Sequence, residues 1–379
     1  MKVLEEENKE AENKGTGVLG EMILNDFDKI NNSSKETEEN SLSAFFSQKE
    51  MFLKESLNSI LNSSLYKSGV KELKLIARGK VRDVYALNEQ QLLFVSTDRI
   101  SAYDVVLDNV IPGKGQILTA LSFFWFKKLQ HICQHHLIDT MLPLSLENYV
   151  QTLMGRVMIV SRYQILPVEA IVRGYMAGSA WKEYVQHGTV HGIALRPGLK
   201  HGQPFDTPLF TPSTKATPGG RDENLHPSQL SKKIGEKHAK EIERLSLMLY
   251  NEAHAYALQK GIIIADTKFE FGVDSNDELV LVDEVLTPDS SRFWSSSNLL
   301  DSEPCSLDKQ HVRDWLEKHC KMGQANVILP EEIVNQTRQK YIQVYEQLTG
   351  SSWVEYIKEI TQQFINNLKH KSSDFNMTA

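Results

Sequence analysis

The chain has 379 residues, of which 41% are hydrophobic and 24% are charged, and its formal net charge is −7. This composition is that of an ordinary globular protein, and the length predicts two domains with appended segments. The negative balance argues against nucleic acid as the main partner, so an anionic substrate has to be held by local basic residues.

Three features favour a cytoplasmic protein with no membrane partner. The three cysteines are an odd number without metal-ligand spacing, which suits a reducing compartment. The most apolar stretch, residues 117–126, is too short for a membrane span. The acidic run at residues 5–7 stands where a signal peptide needs apolar residues.

The first predicted strands flank a turn with a single glycine. Residues 1–66 are expected to be an extension, mostly polar and with short helices near its end. Residues 73–87 predict two strands, with Gly79, Lys80 and Arg82 in or beside the turn between them. Such a turn can cover nucleotide phosphates, as the glycine loop of a kinase does, and an ordinary charged hairpin turn is the alternative.

A charged segment, Asp98 to Asp104, follows the next predicted strand. It includes Arg99 and Ser101, so it combines both charges with a hydroxyl at a strand end, where function is common. A salt-bridged turn is the alternative. Lys114 stands in a glycine-containing loop that allows close backbone approach, and its ammonium group is available to an anion.

Pro167 marks a predicted hinge, and residues 168–175 predict a further strand that carries Glu169 and Arg173 among apolar residues. A lone arginine in such a strand has to be paired or to hold a ligand. Ser179 opens a predicted helix, where it either caps the helix or donates to a substrate.

Two longer segments precede the next strand. Residues 188–220 are rich in Gly, Pro and Thr, which predicts a long surface loop, and such loops are often lids or binding loops. Residues 228–260 predict one amphipathic helix that ends at Gly261.

The main chemical signal follows a β-branched run that predicts a buried strand. Asp266, Lys268 and Glu270 alternate along the chain, so an extended backbone places all three on one face. If the following hairpin centres on residues 276–277, Glu270 lies directly opposite Asp283, with Cβ atoms about 4.5–5.5 Å apart. Two carboxylates that close need a cation between them, and Mg²⁺ on a polyphosphate meets that need. Solvated acidic residues are the alternative.

Residues 287–294 add small hydroxyls and Arg292, which are suited to hold an anion. With the glycine turn and the acidic hairpin, they predict an ATP-dependent enzyme that uses Mg²⁺ and binds the nucleotide between domains. A kinase and an ATP-dependent ligase both need these parts, so the residues alone leave the two open.

Seven motifs follow one another along the chain: GKVRDVY (79–85), STDRISAYDV (96–105), IPGKG (111–115), VEAIVRGYMAGSAW (168–181), KATPGGRDEN (215–224), IIIADTKFEFG (262–272) and DEVLTPDSSRFW (283–294). Their order and spacing resemble the SAICAR synthetase family from about Leu73 to Gly350. One departure is the GGRDEN of residues 219–224, where the family usually has Gly-Glu-His-Asp-Glu-Asn, so a histidine role there is in doubt.

The resemblance implies an α+β fold with two domains and the nucleotide in the cleft between them. The N-terminal domain, residues 67–166, is small and mostly antiparallel β; residues 167–350 form a larger mixed α/β domain, and residues 351–379 a helix with a loose tail. The implied reaction of purine biosynthesis joins L-aspartate to carboxyaminoimidazole ribonucleotide (CAIR), using ATP and Mg²⁺. A related small-molecule kinase is the alternative, and the oligomeric state, monomer or homodimer, is open.

The resemblance also implies roles for individual residues. Catalysis is assigned to Lys268, Glu270, Asp283 and Arg292. Contacts with the nucleotide are assigned to Gly79, Lys80, Val81, Arg82, Ile165, Glu169 and Lys268. Contacts with the other substrates are assigned to Asp98, Arg99, Ser101, Asp104, Lys114, Arg173, Ser179, Ser291 and Arg292. The implied Mg²⁺ ligands are Glu270 and Asp283, with Asp266 at a second metal.

Overall fold

The computed structural model describes residues 51, 57–103, 105–215, 222–298, 304–320 and 327–377. Up to residue 165 the elements are α1 (Leu57–Leu61), β1 (Lys74–Arg78), β2 (Arg82–Ala86), β3 (Gln91–Ser96), β4 (Arg99–Ala102), β5 (Val105–Val110), α2 (Lys114–Leu129), β6 (Leu137–Asp139), a 3-10 helix (Leu144–Tyr149), α3 (Val150–Leu153), β7 (Val157–Ser161) and β8 (Gln164–Ile165).

The remaining elements begin after Pro167. They are β9 (Val168–Tyr175), α4 (Gly178–His187), β10 (Thr189–Val190), β11 (Ile193–Ala194), β12 (Pro204–Phe210), β13 (Ser213–Thr214), α5 (Pro227–Ile234), α6 (Glu236–Gln259), β14 (Ile262–Val273), β15 (Leu279–Val282), β16 (Ser291–Ser295), a 3-10 helix (Ser296–Asn298), α7 (Gln310–His319), α8 (Glu331–Thr349) and α9 (Trp353–Met377).

Contacts divide the chain into two units. The described part of the first is residue 51 with residues 57–63, 141–154 and 354–377, and within it helix α1 contacts helix α3. The second unit is formed by residues 64–140 and 155–353, and it contains both large sheets. The boundary expected at residues 166–167 falls inside this second unit, so the division into two domains there stays a prediction.

The first sheet of the second unit has five antiparallel strands in the order β1-β2-β3-β7-β6. Helix α2 packs on β3 and β7, whose Leu93, Val95 and Val157 are fully buried. The turn between β1 and β2 contains Gly79 at one edge of this sheet, so the two strands predicted around that glycine are confirmed.

The second large sheet is built around β14. This 12-residue strand pairs with β9 and β16 along its first part and with β15 and β8 at its end, always antiparallel. Helix α6 covers it, and the hydroxyl of Tyr250 donates to the carbonyl of Ile264 over 2.6 Å. The α+β class with mostly antiparallel sheets is confirmed.

Two predicted segments differ from the structure. Residues 228–260 form two helices, because Gly235 between α5 and α6 has a φ of 82° that a helix cannot accommodate. The expected long loop of residues 188–220 contains four short strands, two of which, β12 and β13, pair with β9.

Candidate active site

A cleft of about 940 Å³ in the second unit collects several of the predicted side chains. The predicted residues that line it are Lys80, Val81, Ser101, Ser179, Lys268 and Arg292. The glycine turn, the start of helix α4 and the middle of β14 therefore face one space, as a site for more than one anionic substrate requires.

Lys268, which lines this cleft, is the centre of a cluster of charges. Its Nζ lies 2.7 Å from Oε1 of Glu169 and 3.1 Å from Oε1 of Glu270, and Lys215 donates to the other oxygen of Glu270. Burial lowers the pKa of Lys268, but Glu270 and Glu169 outweigh it, so the pKa is raised above its ordinary value. Lys268 thus stays charged, and its predicted place on one face with Glu270 is confirmed.

The prediction that Glu270 lies directly opposite Asp283 is wrong by one residue. Glu270 pairs with Val282, because the hairpin loop spans residues 274–278 and is centred one half-residue earlier than expected. Strand β15 ends at Val282, and Asp283 has a φ of 64°. Its side chain therefore does not follow the alternation between the two faces that holds within the strand.

Asp283 nevertheless belongs to the same cluster. Arg82 of β2 donates to its carboxylate. Burial alone would raise the pKa of Asp283, but Arg82, Lys268 and Lys215 together lower it to about 2. The carboxylate is therefore ionised, and it shares two lysines with Glu270.

This donor set suits a hard divalent cation, since Glu270 and Asp283 offer carboxylate oxygens. Among the described residues, no group of three or more His, Cys, Asp or Glu side chains forms a complete ligand set by itself. Mg²⁺ that takes its other ligands from phosphate needs only one or two carboxylates, so these residues fit such a site.

A second set of charges surrounds Asp266. Its neighbours on the adjacent strands are Arg173 of β9 and Arg292 of β16. Nη1 of Arg173 lies 3.1 Å from Oδ2 of Asp266, and Arg292 donates to the same oxygen. Nη2 of Arg173 donates to the hydroxyl of Ser179 over 3.2 Å. The predicted set of Arg173, Ser179 and Arg292 is therefore brought together, and the lone arginine of β9 is paired.

The start of helix α4 contacts Arg292 directly. Ala177 is the residue that precedes the helix, and no side chain caps it, so Ser179 is not the cap. Gly178 has a φ of 57°, and a Cβ atom there would lie 2.1 Å from Nη2 of Arg292. Only glycine leaves room for the guanidinium group at this place.

Hydrogen bonds from Arg99 hold the glycine turn in place. The backbone N–H of Gly79 donates to the carbonyl of Arg82 over 2.7 Å, which closes the turn. Arg99, only 3% exposed, donates to the carbonyls of Gly79 and Lys80 over 3.0 and 3.1 Å. The carbonyls of the turn use these donors of Arg99, and its predicted contact with substrate stays a prediction.

The predictions for Asp98 and Lys114 differ from the structure, because both side chains are fully buried. Asp98 is fully buried and forms an ion pair of 2.5 Å with Arg156. Lys114 is fully buried as well, with its Nζ 2.6 Å from Oδ2 of Asp289. Buried charges need partners inside the protein, and these two have them, so neither is available to a substrate.

The other predicted residues have separate outcomes. Ser291 is buried and shares a hydrogen bond of 2.7 Å with Thr267, so Ser290 lines the cleft in its place. Ile165 lies on β8, where it pairs with Gly272, and its contact with the nucleotide stays a prediction. Asp104 lies outside the described residues.

Basic residues after position 304 form a wall of the cleft that the sequence did not predict. Lys309 and Arg313 line it, with Lys340 from helix α8. Within the described part of the chain, the ammonium group of Lys309 has neither a hydrogen bond nor an ion pair. The sequence gives no local signal for this wall, because it depends on contacts between distant segments.

None of the helices in the described ranges has both the length and the hydropathy of a membrane span. The family model of SAICAR synthetase matches residues 75–330. The phosphoribosylaminoimidazole-succinocarboxamide synthases of Schizosaccharomyces pombe and Saccharomyces cerevisiae are 52% and 51% identical to this chain; the matches cover 73% and 74% of it and 95% and 96% of those proteins.

Solved structures give the same result. The SAICAR synthase of Saccharomyces cerevisiae complexed with SAICAR is 48% identical, with a TM-score of 0.70, over 76% of this chain and 99% of that one. Another SAICAR synthetase, in complex with ADP, is 26% identical, with a TM-score of 0.55, over 73% of this chain and 98% of that one. With these matches over most of its length, the chain belongs to the SAICAR synthetase family.

Proposed function

We propose that this chain joins L-aspartate to the carboxylate of CAIR at the expense of ATP, giving SAICAR, ADP and phosphate in purine biosynthesis. Its relatives at about half identity carry the name of that synthase, and solved relatives hold SAICAR or ADP. The observation that carries the proposal is that Lys268 and Arg292, each within its own set of charges, line one cleft.

The chemistry requires activation of CAIR, because a carboxylate is a poor acceptor for an amine. One carboxylate oxygen attacks the γ-phosphorus of ATP, and the bond from that phosphorus to the β–γ bridging oxygen breaks. ADP leaves, and CAIR becomes an acyl phosphate. The aspartate amine then attacks the acyl carbon, phosphate leaves, and the nitrogen loses its proton. Catalysis by the protein is mainly positioning and charge neutralisation.

Each set of charges has its task in this proposal. Lys268 and the turn that carries Lys80 neutralise the nucleotide phosphates from two sides. Glu270 and Asp283 hold Mg²⁺, which when bound neutralises charge on the transferred phosphoryl group. Arg173, Ser179 and Arg292 hold CAIR. Asp266, expected at a second metal, fixes the two arginines, and its role as a metal ligand stays a prediction.

The basic wall of Lys309 and Arg313 is the proposed site for the carboxylates of aspartate. Both side chains line the cleft, and within the described residues neither has a carboxylate within ion-pair distance. The nearby carboxylates of Asp289 and Glu284 offset only part of the cost of burying the Lys309 charge, so a ligand carboxylate at ion-pair distance would supply the rest. This assignment replaces the earlier prediction of Lys114.

Replacing Lys309 by alanine is expected to raise KM for aspartate about tenfold or more, because a hydrogen bond to a charged group is lost. Steady-state kinetics with each substrate varied should leave KM for ATP and CAIR nearly unchanged. An equal rise for all three would contradict the assignment.

Burial lowers the pKa of Lys309, so aspartate binding should weaken as pH rises through that lowered pKa. Lys309→Arg keeps its charge there and should remove this pH dependence.

Gly178→Ala is expected to raise KM for CAIR about tenfold or more, because the new Cβ displaces Arg292 from its place at the cleft. Gly188→Ala is the matched control, since Gly188 also has a positive φ, 70°, but nothing within 4 Å of the added atom. Both variants should lose about 1–2 kcal/mol of stability, because alanine is strained in the left-handed conformation. If calorimetry and kinetics show no difference between them, Gly178 has no role beyond the turn.

A coupled assay that omits each substrate in turn tests the function. ADP release should require CAIR, and SAICAR should form only when ATP, CAIR and aspartate are all present. Full ADP release with an unrelated acceptor and no aspartate would favour the small-molecule kinase instead. The cytoplasmic location and the choice between monomer and homodimer stay predictions.

A further inference from the structure

Both carboxylates proposed for Mg²⁺ already hold a cation from the protein itself. Lys215 donates to Oε2 of Glu270, whose Oε1 lies 3.1 Å from Nζ of Lys268. Arg82 donates to Asp283. Side chains of the protein thus already neutralise the oxygens that a metal needs.

The two cations differ in how firmly they are held. The Arg82 side chain is 10% exposed, has its Nη2 3.3 Å from Oε2 of Glu284, and packs over the ring of Phe94 at 5.2 Å. The Lys215 side chain is 40% exposed, and Lys215 directly follows the two-residue strand β13. Lysine carries a compact charge on a flexible stem, so it can move between partners more easily than a packed guanidinium group.

The charges around the site are nearly balanced. Four carboxylates, those of Glu169, Glu270, Asp283 and Glu284, face three cations, those of Arg82, Lys215 and Lys268. Such a cluster attracts a free divalent cation only weakly. Phosphate oxygens change this, since they can accept the ammonium group of Lys215 and leave Glu270 to the metal.

We propose that Lys215 is a displaceable counter-ion of the metal site, which keeps free divalent cations from binding before the nucleotide and then transfers to its phosphates. The inference rests on the proposed function, because it takes Glu270 and Asp283 as the metal ligands. Lys215 acts here as a positioning residue: it sets the order in which metal and nucleotide bind and leaves the chemical step to others.

The test measures binding of Mn²⁺, as a visible substitute for Mg²⁺, by electron paramagnetic resonance on the full chain without nucleotide. Lys215→Ala should bind free Mn²⁺ about tenfold or more tightly than wild type. This factor corresponds to the lower end of the free energy that a hydrogen bond between charged groups contributes. Lys215→Arg keeps the charge and should bind as weakly as wild type. Lys237→Ala is the matched control, since Lys237 pairs with Asp277 and Glu278 at the surface, and it should not change the affinity.

The outcomes separate this inference from the proposed function. If Lys215→Ala and wild type bind free Mn²⁺ equally, while Glu270→Gln weakens Mn²⁺ binding in the presence of ADP, the counter-ion role is contradicted and the metal site stands. If Glu270→Gln leaves Mn²⁺ binding with ADP unchanged, the metal assignment itself fails, and the inference fails with it. Thermal unfolding of each variant shows that the comparison is between folded proteins.

Discussion

Asp283→Asn is expected to lower kcat by about 10²–10³-fold, because the metal it helps to hold is worth several kcal/mol in the transition state. The fold should persist. Asparagine accepts the φ of 64° that Asp283 adopts, and its amide oxygen can still accept a hydrogen bond from Arg82. Initial rates of SAICAR formation at saturating substrates measure kcat, and thermal unfolding of the same variant measures its stability.

Asp277→Asn is the matched control for this variant. Asp277 lies in the loop of the same hairpin and has a φ of 62°, but its partners are Lys237 and His238 at the surface. It should keep nearly full activity. Near-normal turnover by Asp283→Asn, or an equal loss in both variants, would remove the proposed metal role of Asp283.

Arg292→Ala is expected to raise KM for CAIR about 10–100-fold and to change KM for ATP little, since hydrogen bonds to a charged group contribute about 1.5–3 kcal/mol. Its guanidinium group lies between Asp266 and Gly178 at the cleft, away from Lys268 and its partners. Initial rates with CAIR or ATP varied separate the two effects.

Arg292→Lys extends this test. Lysine keeps the charge but lacks the planar fork that can bind Asp266 and a substrate anion together, so it should restore only part of the CAIR affinity. An equal loss of affinity for ATP and CAIR in Arg292→Ala would mean that the two sets of charges do not bind separate substrates.

The alternating charges of β14 were predictable because a strand has a period of two, which fixes Lys268 and Glu270 on one face. The register of the hairpin was not. A loop centre shifted by half a residue places Val282 opposite Glu270, and the left-handed backbone at Asp283 then releases its side chain from the strand pattern. Sequence alone does not reveal such a backbone, since aspartate tolerates several turn conformations.

Charged residues at strand ends were the least predictable. Asp98, Arg99 and Lys114 have the residue types of a binding site, yet each is buried against a partner far along the chain, such as Arg156 or Asp289. Conversely, Lys309 directly precedes helix α7, and the sequence predicts no role for it. Contacts between distant segments decide which charged side chains face the cleft. The local sequence pattern does not reveal such contacts.

The most direct test of the central claim is a crystal structure of the protein with Mg²⁺ and a non-hydrolysable ATP analogue. We expect one metal ion with an oxygen of Glu270 and an oxygen of Asp283 at about 2.0–2.1 Å, bridged to the nucleotide phosphates. A metal held by phosphates and water alone, with Asp283 still bound to Arg82, would contradict it.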